Sequence, residues 1–297
     1  MRTAIVTCYY TNLHGTKFGG REGRENHYKK SFESLLKMTD ADFFVFCDPN
    51  SVSDIREISD RHPENNIKVI GYDLSDFYMQ DLFEKYKDYN FALTSARCQE
   101  LQYNKSLWLK TVIEMDSTYD YYFWIDVGLS YSGLIPNKHL IGHSEDRPEY
   151  YNSDLMCNDM LRGLIKYTND KVFIINIANA GDFFYNNYIE GIDYGTDDKS
   201  YHTIGGMLGG KMDSVLWFHE QFEKTAREVI TTKLQTYDEE MIFNVVYKRN
   251  EDKFSSMEFD LWLHDDNEGS HRPGDDKAES WARAKRFYQI FVQLIGH

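Results

Sequence analysis

Three short apolar runs stand near the start of the chain: Thr3–Cys8 (TAIVTC), Asp42–Cys47 (DFFVFC) and Ile67–Tyr72 (IKVIGY). Each has strand length and is rich in β-branched or aromatic residues. Between the first two lie a polar, glycine-rich loop over residues 12–24 and a helical pattern over about 26–38. That pattern brings Phe32, Leu35 and Leu36 to one side. Between the second and third, Ser53 is placed to cap a helix reaching Arg61. This β-α-β-α-β alternation predicts an α/β fold, a mostly parallel sheet flanked by helices.

The rhythm continues outward from there. A helix-permissive segment over 91–115 leads into Tyr121–Val127 (YYFWIDV), a strand closed by Gly128. Residues 130–170 are polar and carry no clear period. Lys171–Ile177 (KVFIINI) reads as another strand, and residues 178–201, rich in Asn, Asp, Gly and Tyr, as an elaborate loop. Ile204–Gly210 (IGGMLGG) reads as a bulged strand or a place of close backbone approach. Helices are expected over 213–230 and 238–248, the second capped by Asp238. A strand-like Phe259–His264 (FDLWLH) and an amphipathic helix over 278–294 complete the chain.

Composition narrows the function. The chain has 297 residues and a formal net charge of −15. Such a surface repels nucleic acid and anionic membranes on average. No apolar stretch approaches the roughly 20 residues of a membrane span, and the N-terminal apolar run is too short for a signal peptide. Cys8, Cys47, Cys98 and Cys157 have no metal-ligand spacing; Cys8 and Cys47, inside apolar strand-like runs, read as buried free thiols, which fits a reducing compartment. A cytoplasmic protein is expected.

In open α/β sheets ligands bind beyond the carboxyl ends of the strands, at a switch point. Tyr9, Tyr10, Asp73 and Asp126 are therefore expected to converge on one crevice. A strand-end carboxylate such as Asp126 either caps a turn or holds a cation. The acids Asp238, Glu239 and Glu240 stand at a helix start, which alone favours negative charge. His264, followed by Asp265 and Asp266, is either structural or a metal ligand. Arg21, Arg24, Arg97 and Lys105 suit phosphate contacts or a solvated surface. P-loop, dinucleotide, GxSxG and HExxH patterns are absent from the sequence.

In chain order, TCYY, YNKSLWL (Tyr103–Leu109), DYYFWIDVGLS (Asp120–Ser130), IGGMLGG, TYDEEMIF (Thr236–Phe243) and FDLWLH together resemble the GT-A class of nucleotide-sugar glycosyltransferases. More closely they resemble the HtrL/YibB-type bacterial family, over roughly residues 3–265. The resemblance implies a GT-A-like fold over 1–297 as a single domain. Residues 1–128 would be the nucleotide-binding half, and 129–297 the acceptor-side half with the C-terminal helix. It implies a nucleoside-diphosphate sugar donor, most often UDP-linked, with Mn²⁺ or Mg²⁺. Asp126 falls on the D-x-D motif that contacts ribose and metal, with Trp124 in place of the first acid; His264 matches a second metal ligand. Cys8, Tyr9, Tyr10, Arg21, Arg97, Lys105, Gly205 and Gly206 would face the donor, and Asp238, Glu239 and Glu240 the acceptor or the catalytic proton. The acceptor would be a carbohydrate or cell-surface glycan. A phage-type enzyme acting on modified DNA bases and an inactive sugar-nucleotide binder are the alternatives. Stereochemistry stays open. Asp126 and His264 are expected within about 10 Å, the reach of ligands sharing one ion. The loop over 178–201 is expected to close as a lid, with Tyr185, Tyr188 and Tyr194 against the sugar.

Overall fold

The computed structural model describes residues 1–10, 31–86, 96–127, 156–178, 188–196, 201–260 and 293–296. Its centre is a seven-stranded sheet. The strands are β1 (Thr3–Tyr9), β2 (Ala41–Cys47), β3 (Ile67–Gly71), β4 (Tyr121–Ile125), β5 (Val172–Ala178), β6 (Tyr201–Gly210) and β7 (Phe254–Asp260). They run in the order β3-β2-β1-β4-β6-β5-β7. All pairings are parallel except those of β6, which runs antiparallel to both β4 and β5. The sheet takes four strands from residues 1–128 and three from the rest.

Burial on both faces explains why β1, β2 and β4 are continuous apolar runs without alternation. Ala4, Val6, Cys8 and Tyr10 enter one core, and Ile5 and Tyr9 the other. The first core is filled from α3 (Ala96–Met115), α5 (Met212–Lys233) and α6 (Glu239–Arg249), with Trp108, Phe218, Phe222 and Phe243 fully buried. The second is covered by α1 (Val52–Ser59), by α4 (Asn158–Thr168) and by Phe32, Leu35 and Leu36. A short α2 (Gln80–Tyr86) adds Leu82 and Phe83 to the first core. The architecture is mixed α/β, a mostly parallel sheet flanked by helices.

Several boundaries differ from the sequence reading. Ser53 lies inside α1, which starts at Val52 with Ser51 in the cap position. Helix α4 falls within the polar stretch that has no readable period. Among the described residues the last strand is Phe254–Asp260, and most of the strand expected over 259–264 lies outside the described residues. The register of β7 beside β5 pairs Met257 with Ile175, and Met257 is buried while Ser255 and Ser256 are only partly covered. Cys8 and Cys47 point into different cores, so adjacent strands hold them as separate free thiols. Burial pushes the Cys47 thiol up to about 11. Among the described residues no helix is long and apolar enough to cross a membrane.

Candidate active site

The chain lays β2 and β3 on one side of β1, then returns to place β4 on the other. The β1/β4 boundary is thus a topological switch point, where the carboxyl ends of strands open a crevice. Asp126 stands there, one residue past β4. Its backbone N–H donates to the Gly206 carbonyl (2.8 Å), so β6 holds it in place beyond the strand itself. Trp124 lies two residues earlier, on the same face of the strand. Its indole Nε1 donates to Asp126 Oδ1 (2.6 Å). The residue in the first position of the expected D-x-D is therefore a hydrogen-bond donor to the second.

Lys105 reaches the same carboxylate from α3. Its Nζ lies 3.2 Å from Asp126, 2.9 Å from Glu239 Oε1 and 3.0 Å from the Gly205 carbonyl. An ammonium has three N–H donors, and these three acceptors use them. Glu239 is in the first turn of α6, and its neighbour Glu240 accepts from the Gly205 N–H (2.9 Å). Gly205 is required by this closeness: a Cβ there would lie 2.7 Å from Glu239 Oε1, 3.0 Å from the Phe243 ring and 3.3 Å from Lys105 Nζ. The Tyr103 hydroxyl, half a turn before Lys105 on α3, donates to the Tyr237 carbonyl (2.9 Å) and anchors the turn that carries the acids.

The electrostatics follow from burial. Lys105 and Glu239 are almost wholly buried, whereas the Asp126 side chain is 36% exposed. Burial works against the Lys105 charge, but Asp126 and Glu239 outweigh it and hold the ammonium protonated well above its ordinary range. Burial raises both the Glu239 and the Asp126 carboxyl, and Lys105 opposes each rise. Water reaching Asp126 offsets part of its rise.

The sequence candidates separate accordingly. Asp126, Lys105, Gly205, Gly206, Glu239 and Glu240 are brought together. Asp238 occupies the cap position of α6, half-buried, without a side-chain cap bond. Cys8, Tyr9 and Tyr10 are buried, and the Tyr10 hydroxyl donates to the Tyr72 carbonyl (2.8 Å) while its ring stacks on Trp108. Asp73 does not join them. It caps the turn after β3 by accepting from Ser75 N, and two strands separate β3 from β4, roughly 14 Å at ~4.8 Å per strand. Arg97 is in the first turn of α3, its side chain outside the described residues. Arg21, Arg24 and His264 also lie outside them, so the approach of His264 to Asp126 stays an expectation. What sequence reasoning missed is the Lys105–Glu239 pair and the Trp124 donor. Only the place of Lys105 in YNKSLWL, two residues after a tyrosine and just before the apolar Leu107–Leu109, hinted at an inward-turned cation.

The Mn²⁺ or Mg²⁺ that the resemblance implies does not fit the described residues. Among them no three His, Cys, Asp or Glu side chains are grouped to hold a metal ion. Asp126 already takes the Trp124 indole and the Lys105 ammonium. Lys105 Nζ fills the position between the Asp126 and Glu239 carboxylates, and an ammonium has only N–H donors and no lone pair to offer a metal ion.

No protein-family model matches the chain, and no curated protein matches it. Solved structures do. The chain is similar to the apo form of mouse xyloside xylosyltransferase 1, with 7% identity and a TM-score of 0.47 over 86% of this chain and 85% of that one. It is similar to a Desulfovibrio desulfuricans G20 protein described as a nucleotide-diphospho-sugar transferase, with 10% identity and a TM-score of 0.39 over 98% and 99%. A third is 4-diphosphocytidyl-2C-methyl-D-erythritol synthase from Anaerococcus prevotii DSM 20548, with 11% identity and a TM-score of 0.42 over 96% and 98%.

Proposed function

We propose that the chain is a glycosyltransferase that moves a sugar from a nucleoside-diphosphate sugar, UDP-linked, to a carbohydrate or cell-surface glycan acceptor. One observation carries this reading: a partly exposed carboxylate, Asp126, is fixed at the switch-point crevice by donors from two other directions. Such a group is preorganised to accept a hydroxyl, as from a ribose, without moving. The resemblance to HtrL/YibB-type proteins supports the same assignment. Gly205 and Gly206 serve this arrangement from beneath: the Gly206 carbonyl accepts from the Asp126 N–H, and the Gly205 carbonyl accepts from Lys105. Among the three acids of α6, Glu239 is buried and ion-paired. Asp238 and Glu240 reach solvent, so they are the groups to take the acceptor's proton in an inverting transfer. Charge building on the diphosphate calls for cations from Arg21 and Arg97, as the resemblance implies.

The test is transfer from radiolabelled UDP-sugars to glycan acceptors and to duplex DNA carrying hydroxymethylated bases, each with Mn²⁺ or with EDTA. Sugar on the glycan supports the reading. Sugar on DNA alone would overturn the acceptor, UDP binding without turnover would make the chain a binding protein, and no UDP binding would remove the reading altogether.

A further inference from the structure

We propose that Lys105 is the resident cation of this site, seated between Asp126 and Glu239 where a divalent ion would otherwise bridge them. The inference deepens the transferase reading and rests on it for the statement that Asp126 faces a donor. The geometry is that of an ammonium. Carboxylate oxygens of Asp126 and Glu239 lie 3.2 and 2.9 Å from one point, Lys105 Nζ. Mn²⁺ or Mg²⁺ would require oxygens at about 2.0–2.2 Å, so both groups would have to move inward by roughly 1 Å. The lysine needs no such shift, and it adds the Gly205 carbonyl (3.0 Å) as a third acceptor.

The lysine is also held from behind. It projects from a twenty-residue helix whose Trp108 stacks on Trp124 (5.7 Å between ring centres), and Trp124 is itself bonded to Asp126. With all three N–H groups used inside the protein, Lys105 touches no donor and acts through Asp126. It is a positioning residue: it aims the carboxylate and cancels charge that would repel an approaching diphosphate.

The experiment titrates the apo protein with Mn²⁺ alone, free Mn²⁺ being read by electron paramagnetic resonance. Wild type and Asp126→Asn should give the same curve, because Asp126 is not a metal ligand while Lys105 is present. Lys105→Ala leaves two carboxylates facing a vacated space and should bind Mn²⁺ at least about tenfold more tightly than wild type. Adding Asp126→Asn to Lys105→Ala should abolish the gain. If Lys105→Ala melts early, added Mn²⁺ should raise its melting temperature while leaving wild type unchanged. Mn²⁺ uptake by wild type that Asp126→Asn removes would overturn the proposal. So would a Lys105→Ala protein that gains neither Mn²⁺ affinity nor Mn²⁺-dependent stability. A parallel UDP titration of wild type separates the two ideas: its failure would remove the transferase reading while the Mn²⁺ curves still judge Lys105.

Discussion

Asp126 and Gly205 show how much of the site depends on single atoms. Asp126→Asn keeps an oxygen for the Trp124 indole and leaves Lys105 its bond to Glu239, so the fold should survive. The charge that fixes a donor hydroxyl is lost, and losing one such preorganised group costs about 100-fold in kcat or more. Activity that stays within a few-fold of wild type, at an unchanged melting temperature, would end the assignment. Gly205→Ala tests the opposite property, space. Its Cβ would press on Glu239 Oε1 at 2.7 Å, and overpacking of this kind costs about 1–3 kcal/mol. Urea unfolding should show that loss. Activity should fall further than stability does, since Glu239 and Lys105 must move together.

Helices set the next level. Between α3 and α5, the Ser106 hydroxyl lies 3.1 Å from His219 Nδ1, and Glu223 lies 4.0 Å from its Nε2. Both Ser106 and His219 are buried, so this is a packing contact rather than an exposed nucleophile. Burial first, then Lys110, lowers the His219 pKa below its ordinary 6.5, against the opposing pull of Glu223, Glu220 and Glu114. The unfolded chain therefore binds the proton more readily. The His219 contribution to stability is fully present above about pH 6.5 and is lost as pH falls from there toward the lowered native value. Melting temperatures taken across pH 7.5 to 5 should decline more steeply for wild type than for His219→Gln. At its far end α5 stops with Leu234 in the left-handed region (φ 58°), 57% exposed. A non-glycine residue there costs about 1–2 kcal/mol, so Leu234→Gly should raise the melting temperature with no change in activity. The described part of the expected lid is anchored instead of open. Tyr194 is buried with its hydroxyl accepting from Ile189 N, Tyr188 packs on its ring, and Arg249 bonds the Asp193 carbonyl. Tyr185 lies outside the described residues.

Across the whole molecule, the switch point predicts where a nucleotide leaves its mark. Hydrogen exchange with UDP should slow amides at the end of β4, around Gly205 on β6 and in the first turn of α6. The opposite, amino-terminal ends of β1 and β2, where Arg2 pairs with Asp42 and bonds Thr118, should not respond. Protection appearing at those ends alone would place the ligand elsewhere. The net charge of −15 adds a second expectation, that duplex DNA is not retained at physiological salt.

The first three strands, the strand before Asp126 and the helices α5 and α6 were legible in sequence, because buried parallel strands and amphipathic helices write their environment into their own periodicity. The individual acids, glycines and Lys105 were legible as candidates for the same reason: their residue types are costly or unusual where they stand. Tertiary structure alone decided the antiparallel direction of β6, the separation of Asp73 from the crevice, and the joining of Lys105 to Glu239 across 134 residues. Strand order and pairing across such distances are settled by which apolar faces must be covered together, and no local pattern records that. Whether a buried carboxylate meets a metal ion or an ammonium depends on which distant helix brings a cation to it, and here α3 brings Lys105.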